Sequence, residues 1–576
     1  MTTPRALPAV AVLVAVVLAL LAGRTTDPSA VDGYGILFAL PASYWIAVGL
    51  ATVATGLLIR GAWRDSAGVA VAIPALWLFV AHTAPALANE HARFSIVYIH
   101  LGFIRVIDAE ATGNILIDAR FAWPGFFAAF VPALARIDPE ALDWIVRLWP
   151  TAILAVSAVL VAALARRSYP NRPLIGPISS LAFLLLSWTG QDYFSPQSVG
   201  FLFYLSILVV LESGPLRPRG AWSSVAPLLS RFTTAGGDRP EARTTASFVV
   251  LLVLSFGAVV SHPLAPFFTC AALVVLAVYG RTVAWRLLLV VGITYVLWVG
   301  IVAEPWWGPR IDELTGDLGS VVSNFQSSTS DRVEASSPAH LLVTRFRTVV
   351  GLTTFLAVLV MGIVMGMERY RDLRPAIPLA PLAGIPVLAA GLQSYGGEII
   401  IRVLLFTLPM AAILIARLLL ALPRRVIEIS VPALAALIMP VFLITRFGNE
   451  AFEMVTVVDR EAVEVLYANG DDDTIYVADN AFLPWGDFQR ERIEHLYSEA
   501  KADDAWLSEL RDMIDEADVE RAIVIFTPSQ SAYRHHVTSA PPGSLDDVGR
   551  WLSIQPGVRV LYESEGGWVL AVEAGS

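Results

Sequence analysis

The sequence predicts an α-helical polytopic membrane protein of about 13 spans that ends in an extracytoplasmic α/β domain. Three observations carry this. Of the 576 residues, 56% are hydrophobic and 16% charged, against about 25% charged in soluble domains. The apolar residues come in blocks of about twenty, the length of a membrane-crossing helix, not in the alternating ten-residue segments of a transmembrane barrel. Charge also divides the chain. Residues 1–445 carry 30 Arg/Lys and 24 Asp/Glu, net +6, whereas residues 446–576 carry 10 and 26, net −16. A soluble enzyme, a disordered chain and a fibrous repeat are excluded.

The apolar blocks fall at 6–23, 35–59, 67–87, 148–165, 173–188, 197–211, 246–262, 264–280, 287–303, 348–366, 376–392, 402–421 and 428–445. The segment 121–135 is also apolar, but it is short and holds Pro124 and Pro132. It is predicted to be a re-entrant or interfacial helix within a large outer loop, 88–147. The first block is read as an uncleaved span, although Arg5 and Ala22-Gly23 also fit a cleaved leader. Arginine placement sets the orientation. With the N-terminus cytoplasmic, the inner loops hold 19 basic and 7 acidic residues and the outer segments of the same region 11 and 17. The tail then lies outside the cell membrane.

The tail, 446–576, reads as a small α/β domain. Strands are expected at 474–478, 522–526 and 558–562, with Glu565-Gly566-Gly567 turning into 568–572. Helical patterns lie near 450–467, 488–515 and 544–554. The run Asp471-Asp472-Asp473 suits either a cation or a solvated turn.

Polar residues at membrane depth default to a functional reading, and here they gather on the outer side. The first outer loop holds His91, His100, Asp108, Glu110, Asp118 and Arg120. Later outer turns hold Gln191, Asp192 and Tyr193, then Ser261-His262-Pro263, then Glu304 with Trp306 and Trp307, then Tyr395, Glu398 and Arg402. Each has a structural alternative. His262 can close a helix end, the tryptophans suit an interfacial belt, Glu398 and Arg402 are spaced for an i,i+4 pair, Asp192 for a turn, and Asp118 for a loop pair with Arg120. The lone Cys270 sits in an apolar block and suits a core position. No P-loop, dinucleotide fingerprint, HExxH or serine elbow occurs, and no basic aromatic surface suggests nucleic acid.

Two stretches, Asp118-Ala119-Arg120-Phe121-Ala122-Trp123-Pro124-Gly125-Phe126-Phe127 and Gln191-Asp192-Tyr193-Phe194-Ser195-Pro196-Gln197, stand beside Ser261-His262-Pro263 and Tyr395-Gly396-Gly397-Glu398. Together they resemble large actinobacterial multispanning proteins described as glycosyltransferase-like. The layout is similar to that of polyprenyl-phosphate-sugar-dependent glycosyltransferases with the C-type fold. In that family the first large outer loop carries catalytic acid and a soluble domain often follows the last span. The family's key carboxylate usually follows the first span, often as an acidic pair; here three spans come first, and Asp108, Glu110 and Asp118 are not adjacent.

The resemblance implies a lipid-phosphate sugar donor, an envelope glycan, lipid or protein as acceptor, and chemistry at the outer membrane surface. The acceptor hydroxyl needs a carboxylate to take its proton, and the departing phosphate needs a cation, either arginine or a divalent ion. Asp118 is the expected base, with Asp108 in reserve. Arg120 and Arg402 are expected on the phosphate. Gln191, Asp192, Tyr193, His262, Tyr395 and Glu398 are expected on the substrates, with Asp192, His262 and Glu398 also able to hold a divalent ion. Two rival readings are a transporter or flippase of a lipid-linked saccharide, which needs a polar path through the bundle, and a non-catalytic envelope scaffold, which predicts outer aspartates buried in structural ion pairs.

Overall fold

The computed structural model describes the chain except residues 1–5, 63–66, 111–117, 135, 212–231, 233–244, 312–335, 392–397, 472, 487–494 and 575–576. Tyr395 and Asp472 therefore lie outside the described residues. Each expected apolar block is occupied by a helix: α1 (Ala6–Arg24), α2 (Ala42–Ala62) and α3 (Ala67–Trp77, continued to Ala86), then, after two outer helices, α6 (Pro139–Ser168), α7 (Ile175–Leu186) and α8 (Pro196–Leu211). Next come α9 (Thr245–Ser261), α10 (Leu264–Val278), α11 (Thr282–Leu297), α12 (Pro338–Gly366), α13 (Leu379–Gly384, with a 3-10 turn Ile385–Gly391), α14 (Ile399–Leu419) and α15 (Arg424–Phe447). Among the described residues, eight helical stretches are long and apolar enough to cross a membrane, and six apolar ones are shorter. The shorter set includes α7 to α10 and α13 among the expected spans. It also includes α5 (Gly125–Leu134), the expected re-entrant segment. At 10 residues α5 is only about 15 Å long, half a bilayer core.

The layer that carries the two motif stretches is built on aromatic packing. Helix α4 (Ile96–Glu110) and α5 close over Phe103, Phe126, Phe127 and Phe194. Phe194 meets Phe126 at 4.9 Å, Phe130 at 5.0 Å and Trp149 at 5.1 Å between ring centroids. The aromatic residues of the two motif stretches are thus mostly core. They fix where the polar residues between them stand.

The tail has a five-stranded sheet in the order β2-β1-β3-β5-β4. It comprises β1 (Thr474–Ala478), β2 (His495–Tyr497), β3 (Arg521–Phe526), β4 (Val558–Ser564) and β5 (Gly567–Glu573). β2, β1 and β3 run parallel, and β5 is antiparallel to both β3 and β4. Alternate residues face opposite sides. Ile475, Val477, Val524 and Leu570 pack under α17 (Asp504–Glu516) and α19 (Ser544–Ser553). Tyr476, Ile523, Ile525 and Val569 pack under α16 (Val457–Asn469). The hairpin turn needs glycine at 566, where φ is +74°.

Two expectations for the tail are corrected. Residues 488–494 of the helix predicted over 488–515 lie outside the described residues, and in the described part the helix begins at Asp504, because the Asp503 carboxylate accepts the Trp506 N–H (2.8 Å) and caps it. His495–Tyr497 upstream is a three-residue strand, too short to show a period. The second correction is α18 (Pro528–Thr538), which periodicity did not reveal although Thr527 and Pro528 form a cap-and-proline start.

The tail docks on the segment 88–147. Ile99 of α4 joins the apolar cluster under α16. Arg460 lies over the Tyr98 ring at 4.8 Å, and Arg105 donates to the Gly486 carbonyl at 3.0 Å. At a second contact the Ser337 N–H donates to the His536 carbonyl at 2.8 Å.

Candidate functional site

A cavity of about 250 Å³ opens among helix ends on the side that carries the tail. Its walls include Ile96 and His100 of α4, Arg120 and Trp123, Tyr193, Ser195, Pro196 and Gln197, Ser261 through Pro263, and Glu398 with Arg402. The chain dictates this convergence. Trp123, Pro196, Pro263 and Glu398 stand at the starts of α5, α8, α10 and α14. Four helix N-termini, each carrying partial positive charge, therefore border one space.

Two guanidiniums add full charges. Arg120 donates through Nε to Asp118 Oδ1 (2.9 Å) and through Nη2 to Oδ2 (2.7 Å), while its face lies over Phe103 at 4.4 Å. Asp118 Oδ1 also accepts the Arg120 backbone N–H at 2.8 Å, capping the turn Ala119–Ala122. Both Asp118 oxygens thus face Arg120, and Asp118 stands behind it, outside the cavity wall. Arg402 Nη2 donates to Glu398 Oε2 at 2.6 Å, one turn apart on α14. Among the described lining residues Glu398 is the only carboxylate.

The two histidines are held in opposite tautomers. His100 Nδ1 lies 2.7 Å from the Phe194 carbonyl, so it carries the proton, and Nε2 keeps its lone pair. Burial, then the Arg120 charge, pushes the His100 imidazolium down to a pKa of about 3, so the ring is neutral. His262 Nδ1 instead accepts the N–H groups of Leu264 (3.1 Å) and Ala265 (3.3 Å) at the start of α10, which leaves the proton on Nε2. The Trp123 Nε1–H and both ends of the Gln197 amide are buried and have no protein partner among the described residues.

Of the expected site residues, Arg120, Tyr193, His262, Glu398 and Arg402 line this cavity. Gln191 and Asp192 lie elsewhere. The Asp192 carboxylate accepts Arg446 Nη2 at 3.0 and 2.8 Å in a buried pair, beside a small void that Gln191 also borders. Arg446 Nη1 donates to the Ser187 carbonyl, and the neighbouring Arg93 pairs with Glu450 and Glu453. Asp108 is exposed near the end of α4, away from the cavity. With Asp192 on Arg446, the set Asp192, His262 and Glu398 does not assemble. No three His, Cys, Asp or Glu side chains among the described residues are placed to hold a metal ion.

Sequence reasoning left His100, Trp123 and Gln197 out of the site. Gln197 and Trp123 stood inside the quoted motifs, which was the available signal. His100 had only its place in the outer loop.

No family model matches the chain, and no curated protein matches it. Among solved structures it is similar to one described as ArnT from Cupriavidus metallidurans bound to undecaprenyl phosphate. The two share 13% identity at a TM-score of 0.46, over 89% of this chain and 98% of that one.

Proposed function

We propose that this protein is a membrane glycosyltransferase that takes a sugar from a polyprenyl-phosphate donor and passes it to an envelope acceptor on the outer face. One observation carries the reading: four helix N-termini and two arginines surround a headgroup-sized cavity at the outer ends of apolar helices. That arrangement suits an anion delivered from the bilayer. The cavity is smaller than the 300–1,000 Å³ of a typical ligand pocket, which suits a glycosyl phosphate whose hydrocarbon stays outside. The orientation, with N-terminus inside and tail outside, and the count of about 13 spans belong to this reading.

The residues divide the work. Arg120 and Arg402 hold the phosphate and stabilise it as it departs. Glu398 meets Arg402 through one oxygen and takes the acceptor's proton with the other. Asp118, expected as the base, is assigned a positioning role, because both of its oxygens orient Arg120. The new bond joins the acceptor oxygen to the anomeric carbon. The bond to the phosphate oxygen breaks, and its electron pair leaves with the polyprenyl phosphate.

The rivals fare worse. A larger groove of about 1270 Å³ between α12, α13 and α14 is apolar except for Glu368, which suits hydrocarbon and not a saccharide head in transit. The buried Asp192–Arg446 pair is what a scaffold predicts, but a scaffold has no use for histidines with a nitrogen turned to an open cavity. The test is binding of farnesyl phosphate, then transfer from a polyprenyl-phosphate sugar, by the reconstituted protein. Arg120→Gln with Arg402→Gln should weaken lipid-phosphate binding at least about tenfold. Unchanged binding refutes the reading.

A further inference from the structure

The cavity holds more kinds of hydrogen-bonding group than a phosphate can use. Phosphate oxygens only accept. The guanidiniums and His262 Nε2–H donate, and suit it. His100 Nε2 is an acceptor, because the ring's hydrogen bond to the Phe194 carbonyl is made by Nδ1. It demands a donor on the ligand. An ammonium would serve, but Arg120, Arg402 and four helix starts make the space hostile to a cation. A hydroxyl is the donor that remains. It both donates and accepts, matching a pair of imidazoles fixed in opposite senses.

We propose that His100 and His262 are positioning residues that read hydroxyls of a neutral glycosyl group on the lipid phosphate, with His100 accepting and His262 donating. The inference rests on the glycosyltransferase reading and specifies its donor as a neutral, polyhydroxylated sugar and not an amino sugar. The fold locks both senses. Rotating His100 would forfeit the Phe194 carbonyl, and rotating His262 would uncap α10.

The test uses the full-length protein and three soluble probes: farnesyl phosphate, farnesyl phosphate bearing a neutral hexose, and the same lipid bearing an amino-hexose. Wild type should bind the neutral glycosyl lipid about tenfold more tightly than bare farnesyl phosphate, as one or two neutral hydrogen bonds allow. The amino-hexose should give no such gain. His100→Phe should erase the neutral-sugar advantage while changing farnesyl phosphate affinity by less than about twofold. His100→Gln, which restores an acceptor, should recover part of it. Equal loss on both lipids, no loss on either, or preference for the amino sugar overturns the proposal. If wild type fails to bind farnesyl phosphate itself, the anion-cavity reading falls first, and the sugar-reading pair falls with it.

Discussion

Replacing Asp192 by alanine separates the structural polar residues on the cavity side from the chemical ones. Its carboxylate accepts two hydrogen bonds from Arg446, and the side chains are 7% and 4% exposed. Removing one member of a buried pair leaves the other charge uncompensated, at a cost of about 3–5 kcal/mol. Arg446 also has Arg93 nearby, whose charge adds to the strain once Asp192 is gone. Against a typical stability of about 5–15 kcal/mol, that loss is large. The folded-to-unfolded ratio should fall by about 10²–10⁴. Asp192→Asn keeps a hydrogen-bond acceptor and should lie between. Asp192→Leu with Arg446→Met removes both charges and should recover much of the loss. The assay is the fraction of detergent-solubilised protein that stays monodisperse after graded heating, read beside farnesyl phosphate binding per folded molecule. Asp192→Ala should lose the first and keep the second. A variant as heat-resistant as wild type that no longer binds or transfers would refute the structural assignment and return Asp192 to the chemistry.

Glu398→Gln should lower transfer by about 10²–10⁴-fold with folding intact, as loss of a general base predicts, and near-normal turnover would remove Glu398 from that role. Asp118→Asn should raise the apparent KM for the lipid donor more than it lowers kcat, because Arg120 loses its seat; Asp108→Asn, at an exposed position, should change neither by more than about twofold. His100 has a folded pKa of about 3 against an ordinary 6.5, so the folded state binds fewer protons between these values. Its contribution to stability is complete above about pH 6.5 and is lost as pH falls toward 3, so His100→Gln should flatten heat-inactivation over that window. Reporter fusions at Ala235 and Gly575 should report opposite sides of the membrane, and agreement between them would break the thirteen-span reading.

The apolar blocks were legible because twenty-residue runs need no partner to declare themselves, and each is occupied by a helix. The tail was legible where strands were long. It was illegible at His495–Tyr497, a strand defined by its pairing with β1 and not by its own pattern. The cavity was half legible. Glu398 and Arg402 announced themselves by i,i+4 spacing, and Arg120 by its neighbour. Asp192 misled because its partner Arg446 lies 254 positions away in the chain. His100 was missed because its meaning depends on which nitrogen faces the Phe194 carbonyl, and no residue pattern records a tautomer.

Helix α4 is a partition with two occupied sides. Ile96 and His100 look into the cavity, while Ile99 and Arg105 hold the tail. The tail is thereby a handle on the cavity. An antibody fragment or designed protein that levers the tail from Arg105 would shift His100 without entering the cavity. On the orientation proposed here, such an inhibitor would act from outside the cell, with no need to cross the bilayer or resemble a lipid.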